Sequence, residues 1–385
     1  MPKTKHRDFH SEKHVHFLNA RPELHRQLAR RREALVFEQG EYFDSYLATE
    51  PGRDEFWLSN GQGLISYTRR GSYVLVGGGL IAAEEHKPAL LLEFLKFVRE
   101  HKYRVAFHNI GEPDLAHFRA HGFEITKWGE EPVVDLGRCD WKGKAFEWVR
   151  RQTSYCRRQG VQVFEVPHME LTAEQWKRTL DEMLEVSHES LADKPQRKEM
   201  QFFEGRIGEH EVGLRRVFLA RSNEGLGRIE GFVVCTPMRG GTVWATELYR
   251  RRQDAVRGTM AFLFHFVQQQ LQQEGVRQVN LCLDPGLRCS EKLPGDSPLV
   301  RLGITWGEAL LGSVFDVAGL RHFKSRFRPR YENRYVCVHP KVNVPSLLAF
   351  AQVSGLFDVN FRKLIRISFA RIRKMGSRST LAKVA

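Results

Sequence analysis

Residues Trp244–Phe266 read WATELYRRRQDAVRGTMAFLFHF, and this stretch decides the fold. A short strand, WATELY, meets a basic elbow, RRRQDAVRG, and an apolar helix follows from Thr259. A strand that breaks at a glycine turn and feeds a helix leaves backbone N–H groups free at the helix start, an inviting place for anionic or carbonyl groups. Gly258 stands at that turn, and Glu247, Tyr249 and Arg250 stand where the strand ends. Three residues of extended chain put Glu247 and Arg250 on opposite faces, so they share one site only if the strand bends.

Working outward, the second half of the chain carries strands RRVFLARS, RIEGFVVCTPM and TVWATELY, then the helix Gly258–Glu274 and the strand VRQVNLCLD. A short helix over Val317–Phe323 and a last strand, RYVCVHP, complete it. Before these strands, Thr172 and Gln175 form a capping-box signature for a helix to about His188, and a further helix is expected near Arg197–Ile207. The first half runs in the same order. Strands EFWLS, LISYTR and YVLVGG are separated by the turns NGQG and RRG, and a helix over Ala83–His101 follows with Leu91, Leu92, Leu95 and Val98 at helical spacing. Then come the strand YRVAFHN, a helix over Pro113–Ala120, and two extended pieces, FEITKW and PVVDL. Two copies of one plan imply a tandem α/β (α+β) protein with mixed sheets. The expected division is a basic tail at 1–33, units at 34–140 and 161–340 joined by a helical connector at 141–160, and a basic amphipathic segment at 341–385.

Composition narrows the partners. Lys and Arg number 60 against 46 Asp and Glu, a net charge of +14, which favours a polyanion such as RNA or an anionic membrane face. The six cysteines are scattered without a CxxC pair, as expected of reduced thiols in a cytoplasmic protein. No apolar run approaches the roughly 18–20 residues that span a bilayer. The expectation is therefore a soluble protein or one held peripherally at the inner face of the membrane. From Phe361 onward the chain has eight Lys or Arg and no acid, a pattern suited to an anionic lipid surface or to packing on the body with a solvated basic side. His10, His14 and His16 lack Cys or carboxylate partners at metal-ligand spacing, and Ser187-His188-Glu189-Ser190 lacks a nucleophile elbow. No metal site is expected.

Three blocks carry a resemblance. GEEPVVDLGRCDWKGKAFEWVRRQTSYCRRQG (Gly129–Gly160), TELYRRRQDAVRGTMAFLF (Thr246–Phe264) and VAGLRHFKSRFRPRYENRYV (Val317–Val336) resemble the soluble C-terminal catalytic domain of the phosphatidylglycerol lysyltransferases. The likeness runs over roughly Ala34–Pro340, and it implies two fused units similar to the Gcn5-related N-acetyltransferase (GNAT) fold. It also implies transfer of an amino acid from aminoacyl-tRNA to the glycerol hydroxyl of an anionic phospholipid, with no metal or CoA as cofactor. Where the family has Asp-Leu-Met-Arg, this chain has Glu247-Leu248-Tyr249-Arg250, and its Asn280-Leu281-Cys282-Leu283-Asp284 adds a carboxylate.

The chemistry assigns provisional roles. An aminoacyl ester is already activated, so the protein must hold two large substrates, remove a hydroxyl proton and stabilise an oxyanion. Glu247 is the candidate for the donor's α-ammonium or for the hydroxyl proton, with Arg250 orienting it or holding a phosphate. Lys324 and Arg321, in GLRHFKSRF, are candidate phosphate clamps. Asp284, at a strand end, is a candidate for a cationic amino acid, and Glu130 and Arg150 complete the substrate-binding set. Two other classes remain open: a CoA-dependent N-acyltransferase, which needs a glycine-rich amide cradle of which Ala255–Met260 has only Gly258, and a non-catalytic RNA- or lipid-binding module.

Overall fold

The computed structural model of the chain describes residues 22–192, 202–207, 212–222, 227–291, 293–314 and 317–356. The expected N-terminal tail up to residue 21 and the basic segment from 357 lie outside the described residues. In the first half, α1 (Pro22–Gln39) precedes β1 (Asp54–Trp57), β2 (Gly63–Arg70), β3 (Tyr73–Val76) and β4 (Ile81–Ala82). Then follow α2 (Lys87–Glu100), β5 (Arg104–Ile110), α3 (Leu115–Ala120) and β6 (Glu124–Asp135). Next comes α4 (Glu147–Arg158), stopped by Gly160 at φ +77°. The second half holds β7 (Val161–Val166), α5 (Ala173–Ala192), β8 (Arg216–Ser222), β9 (Ile229–Met238), β10 (Val243–Arg251) and α6 (Thr259–Gln273). It ends with β11 (Gln278–Asn280), β12 (Asp284–Pro285), α7 (Pro298–Val314), α8 (Val317–Ser325), β13 (Arg330–His339) and α9 (Val344–Val353).

Several expectations shift in detail. FEITKW and PVVDL fuse into the single strand β6, since nothing in WGEE breaks an extended chain and both faces are covered. Residues 202–207 are turns rather than the end of a helix, and residues 193–201 of that stretch lie outside the described set. The strand β7 and the helices α7 and α9 were not anticipated.

All strands join one mixed sheet in the order β1-β2-β3-β5-β13-β6-β11-β10-β9-β8-β7, with β4 on β2 and β12 on β6. The halves exchange their last strands: β13 lies between β5 and β6, while β6 pairs with β11. Each half otherwise repeats the other, an antiparallel meander followed by a parallel pair, β3 with β5 and β10 with β11.

Apolar periodicity explains the layers. Leu90, Phe94 and Val98 of α2 lie on one side at helical spacing and pack on Ile65, Val74 and Phe107. In the second half, Val149 and Cys156 of α4 with Leu263, Val267 and Leu271 of α6 cover one face of the sheet. Met183 and Val186 of α5 cover the other against Leu219, Phe232 and Leu248. With both faces covered, all ten residues of β9 are buried, which is why IEGFVVCTPM is mostly apolar apart from Glu230 and Thr236. Each such buried side chain contributes roughly 1.5–3 kcal/mol over an exposed one.

Candidate functional site

Both halves open at the same place. β10 and β11 pair in parallel only over Val243–Ala245 and Gln278–Asn280, and a register shift in β10 between Ala245 and Leu248 then turns it away. Two residues beyond the last parallel pair, Cys282 adopts φ +63°, and its N–H donates to Asn280 Oδ1 at 2.7 Å. In the first half, Asn109 holds the matching position beyond Val76↔Phe107, also at φ +63°. A left-handed non-glycine residue at both corners ends the pairing and splits the strands.

The first split is filled by its own chain. A Cβ on Gly78 would lie 2.7 Å from Ser45 Cα, and one on Gly79 2.4 Å from the Tyr42 ring, so only glycines let the segment around Tyr42–Ser45 approach this closely. Asp44 accepts from Asn109 Nδ2 at 2.9 Å. Burial, with the Glu131 charge adding to it, pushes the Asp44 carboxyl up to about 6 despite the Asn109 hydrogen bond.

The second split is lined by charge. The bulge that turns β10 places Glu247 inward, where Arg215 Nε donates to Oε2 at 3.2 Å. The same guanidinium donates to Glu50 Oε1 at 2.5 Å and lies over the Tyr46 ring at 4.8 Å. All four residues are buried. Burial raises the Glu247 pKa, while Arg215 and the Gly205 amide pull it down. Gly205 has no room for a side chain: its Cβ would sit 2.6 Å from Glu247 Oε1. Arg250 is on the same side, bonded to Glu204 Oε2 at 2.6 Å and to the Tyr249 carbonyl at 2.9 Å. The bend anticipated between Glu247 and Arg250 is therefore present, and residues 204–205 lie over both.

Across the split, β12 and α8 contribute a second buried pair. Lys324 Nζ donates to Asp284 Oδ1 at 2.7 Å and to the carbonyls of Cys282 at 2.9 Å and Leu283 at 3.4 Å, so its three protons are all engaged. Asp284 Oδ2 is buried without a hydrogen-bond partner among the described residues. Cys282 stands between the two groups: burial raises its thiol, Lys324 lowers it, and the Glu131 and Glu247 charges raise it again. The Tyr249 phenol is likewise pushed up, first by burial and then by Cys282, Glu204 and Asp284. Arg321 donates to the Pro285 carbonyl beside this pair. On the adjoining strand Glu130 takes Lys127 at 2.7 Å and Arg288 at 3.1 Å, with Arg288 stacked on Tyr331 at 4.7 Å.

Two residues of the expected set lie elsewhere in the packing. Arg150 on α4 donates to the Trp141 carbonyl at 2.9 Å. Gly258 starts α6 at φ +96° and is pressed on α4, its Cβ position 2.8 Å from Gln152 Oε1 and 3.2 Å from Cys156 Sγ. Glu84, Asp114 and His117 bring ligand atoms within 4.8 Å of one another, yet the Lys87 ammonium already sits among them, 2.9 Å from Glu84 and 2.8 Å from Asp114. Sequence reasoning missed Glu50, Glu204, Arg215, Glu131 and Arg334, the last two joined at 2.6 Å across β6 and β13. For Glu131 and Arg334 the available signal was a charge inside a strand run, which needs a buried partner; Glu50, Glu204 and Arg215 lie outside the strands and carried no such signal.

The family model described as "Phosphatidylglycerol lysyltransferase, C-terminal" matches residues 32–338, which include every residue of the split. The chain belongs to this family. A phosphatidylglycerol lysyltransferase of Bacillus subtilis is 24% identical over 315 residues, 79% of this chain and 34% of that protein. The chain thus spans about a third of the length of the curated relatives it matches. The structure of L-PGS from Bacillus licheniformis superposes with a TM-score of 0.71 at 24% identity, over 85% of this chain and 95% of that one. The C-terminal DUF2156 domain from Agrobacterium fabrum gives 0.70 at 24% identity, over 84% and 94%. Both likenesses establish the expected mixed α/β fold of the family in this chain.

Proposed function

We propose that this chain transfers an amino acid from aminoacyl-tRNA to a hydroxyl of a phosphatidylglycerol-type lipid. The observation that carries the reading is the pair of buried acids, Glu247 and Asp284, on either side of Cys282 at the split of a family member with net charge +14. Basic surfaces draw in the polyanionic tRNA and the anionic lipid, and the two acids divide the work on the donor and acceptor, one taking the donor's ammonium group and the other the hydroxyl proton. Relatives named phosphatidylglycerol lysyltransferases support the lipid acceptor.

In this reaction the lipid hydroxyl oxygen bonds to the aminoacyl carbonyl carbon, and the ester bond to the tRNA ribose breaks. The hydroxyl proton passes to the departing ribose oxygen. Glu247 serves as the relay: burial raises its pKa above the ordinary carboxylate value, which makes it a stronger base toward the hydroxyl proton. The unpartnered Asp284 Oδ2 takes the ammonium of the amino acid, held in place by Lys324. Arg250 anchors Glu204 and hence the segment over Glu247, and Arg321 and Arg288 at the rim meet phosphate groups.

The test incubates the full chain with aminoacyl-tRNA and phosphatidylglycerol vesicles and analyses the lipid extract by mass spectrometry. New aminoacyl lipid that disappears after RNase treatment is expected, and Glu247→Gln should lower its rate by about 10²–10⁴-fold. Acetylated product with acetyl-CoA and none with any aminoacyl-tRNA would overturn the proposal.

A further inference from the structure

Among the described residues, helices α7 and α9 leave an apolar face uncovered near the site. On α7, Val300 and Ile304 turn inward with Trp128 and Val336, while Leu302 and Trp306, also four residues apart, stand outward with 52% and 71% of their surfaces exposed. On α9, Ala349 and Phe350 face inward, and Val344 and Leu348 are 58% and 50% exposed. The two helices touch: a Cβ on Gly303 would meet Leu347 at 3.7 Å. Two outward apolar pairs on adjacent helices make a patch, which scattered surface hydrophobics do not.

Charge identifies the occupant. From Val344 to Leu356 the chain carries no charged side chain, and after a short stretch with the single acid Asp358, Phe361–Ala385 has eight Lys or Arg and no acid. A charge-free helix with exposed leucine and valine, a neighbouring exposed tryptophan, and a strongly basic continuation combine the two attractions of an anionic bilayer: apolar burial at the acyl boundary and Coulomb attraction to headgroups. Position agrees with this. α8, which touches α7, carries Lys324 to Asp284 and Arg321 to the Pro285 carbonyl.

We infer that the α7 and α9 face is the surface by which this protein docks on an anionic phospholipid bilayer, with Leu302, Trp306, Val344 and Leu348 entering the interface. Docking there brings the lipid hydroxyl to the α8 side of the split, so the inference rests on the lipid acceptor proposed above.

The experiment measures co-sedimentation of the full chain, without tRNA, with vesicles of equal parts phosphatidylglycerol and phosphatidylcholine, and with pure phosphatidylcholine. The variant Leu302→Ser, Trp306→Ser, Val344→Ser and Leu348→Ser should bind the anionic vesicles at least tenfold more weakly, with unchanged circular dichroism. Should that variant fail to fold, Trp306→Phe decides: brominated phosphatidylglycerol should quench part of the wild-type tryptophan emission, and this part should vanish in the variant. The inference is overturned if the fourfold variant binds like wild type while a chain ending at Leu356 does not, which would assign docking to the tail alone. It is equally overturned if the substitutions convert a dimer into a monomer without changing vesicle binding, which would make the face an interface between copies. Vesicle binding is read without transfer, so loss of the transferase reading and loss of this one are separate results.

Discussion

Replacing Arg215 by methionine removes a guanidinium that is bonded to both Glu50 and Glu247, at 2.5 and 3.2 Å. Methionine keeps the hydrocarbon against the Tyr46 ring, so what is lost is charge rather than packing. Breaking a buried ion pair by deleting one partner costs about 3–5 kcal/mol, because the remaining charge stays buried. Glu247 makes that cost depend on pH. Its folded pKa is raised above the ordinary 4.5, with burial as the largest cause and Arg215 opposing it. A carboxyl with a raised folded pKa is tolerated in the native state while protonated, and stability falls as pH rises through that folded value. Without Arg215 the folded value rises further, so the loss must grow with pH. Urea midpoints of wild type and Arg215→Met, measured at about pH 5 and about pH 8, should show the loss of about 3–5 kcal/mol at the higher pH and clearly less at the lower. Adding Glu247→Gln should restore at least about 1 kcal/mol at the higher pH, since it discharges the stranded acid. Equal losses at both pH values, with no recovery in the double variant, would refute the electrostatic account.

Gly205→Ala places a Cβ 2.6 Å from Glu247 Oε1 and 3.0 Å from Arg215 Nη2, so the segment over Glu247 must move. Transfer activity should fall by about 10²-fold, the penalty for roughly 1 Å of misplacement, with little change in the far-ultraviolet spectrum. Lys324→Met should cost about 3–5 kcal/mol in a urea titration, and the pair Lys324→Met with Asp284→Asn less than that single change. His108 stacks on Phe350 at 4.8 Å, and burial holds its pKa down at about 4 against the ordinary 6.5. The folded value is depressed below the unfolded one, so wild type loses stability as pH falls from about 6.5 to about 4, by up to roughly 3 kcal/mol. His108→Phe should flatten that part of the pH–stability curve, and an unchanged slope would count against the assignment.

What could be read from the chain was what is local. The strand runs LISYTR and YVLV between their turns, the helical spacing of Leu91, Leu95 and Val98, and the Thr172–Gln175 capping box each appear where expected, with Thr172 N bonded to Gln175 Oε1 at 2.9 Å, whereas Leu92, expected on the same helix face, is exposed. Glu247 and Arg250 could be singled out because charges closing an apolar strand are visible without a partner. Their partners could not. Glu204 is 46 residues from Arg250, and Glu50 is 165 from Arg215, separations over which no periodicity carries information. The insertion of β13 between β5 and β6 is of the same kind, since the alternation of RYVCVH fits either neighbour equally well. The helix α7 escaped notice because its two outward apolar residues blur the amphipathic contrast that marks a surface helix.

The exchanged strands explain why, under the function proposed above, a chain with two similar openings uses one of them as its site. Had β6 stayed beside β5 and β13 beside β11, each half would close its own split independently. Instead β6 brings Glu131 against Arg334 of β13 at 2.6 Å and against Asn280 of β11 at 2.7 Å, fastening both splits to the same buried group. The first half then supplies Glu50, and the charge of Arg53 acts on both Asp44 and Glu247. Its own opening is closed by Tyr42, Asp44 and Ser45 against the glycines after β3. Of two similar openings, one is consumed as scaffold and the other keeps its acids, and the acids hold their positions because residues of the closed half sit behind them. Substitutions at Glu50 or Asp44, far along the chain from Glu247, therefore act on the same electrostatic unit as Glu247 itself.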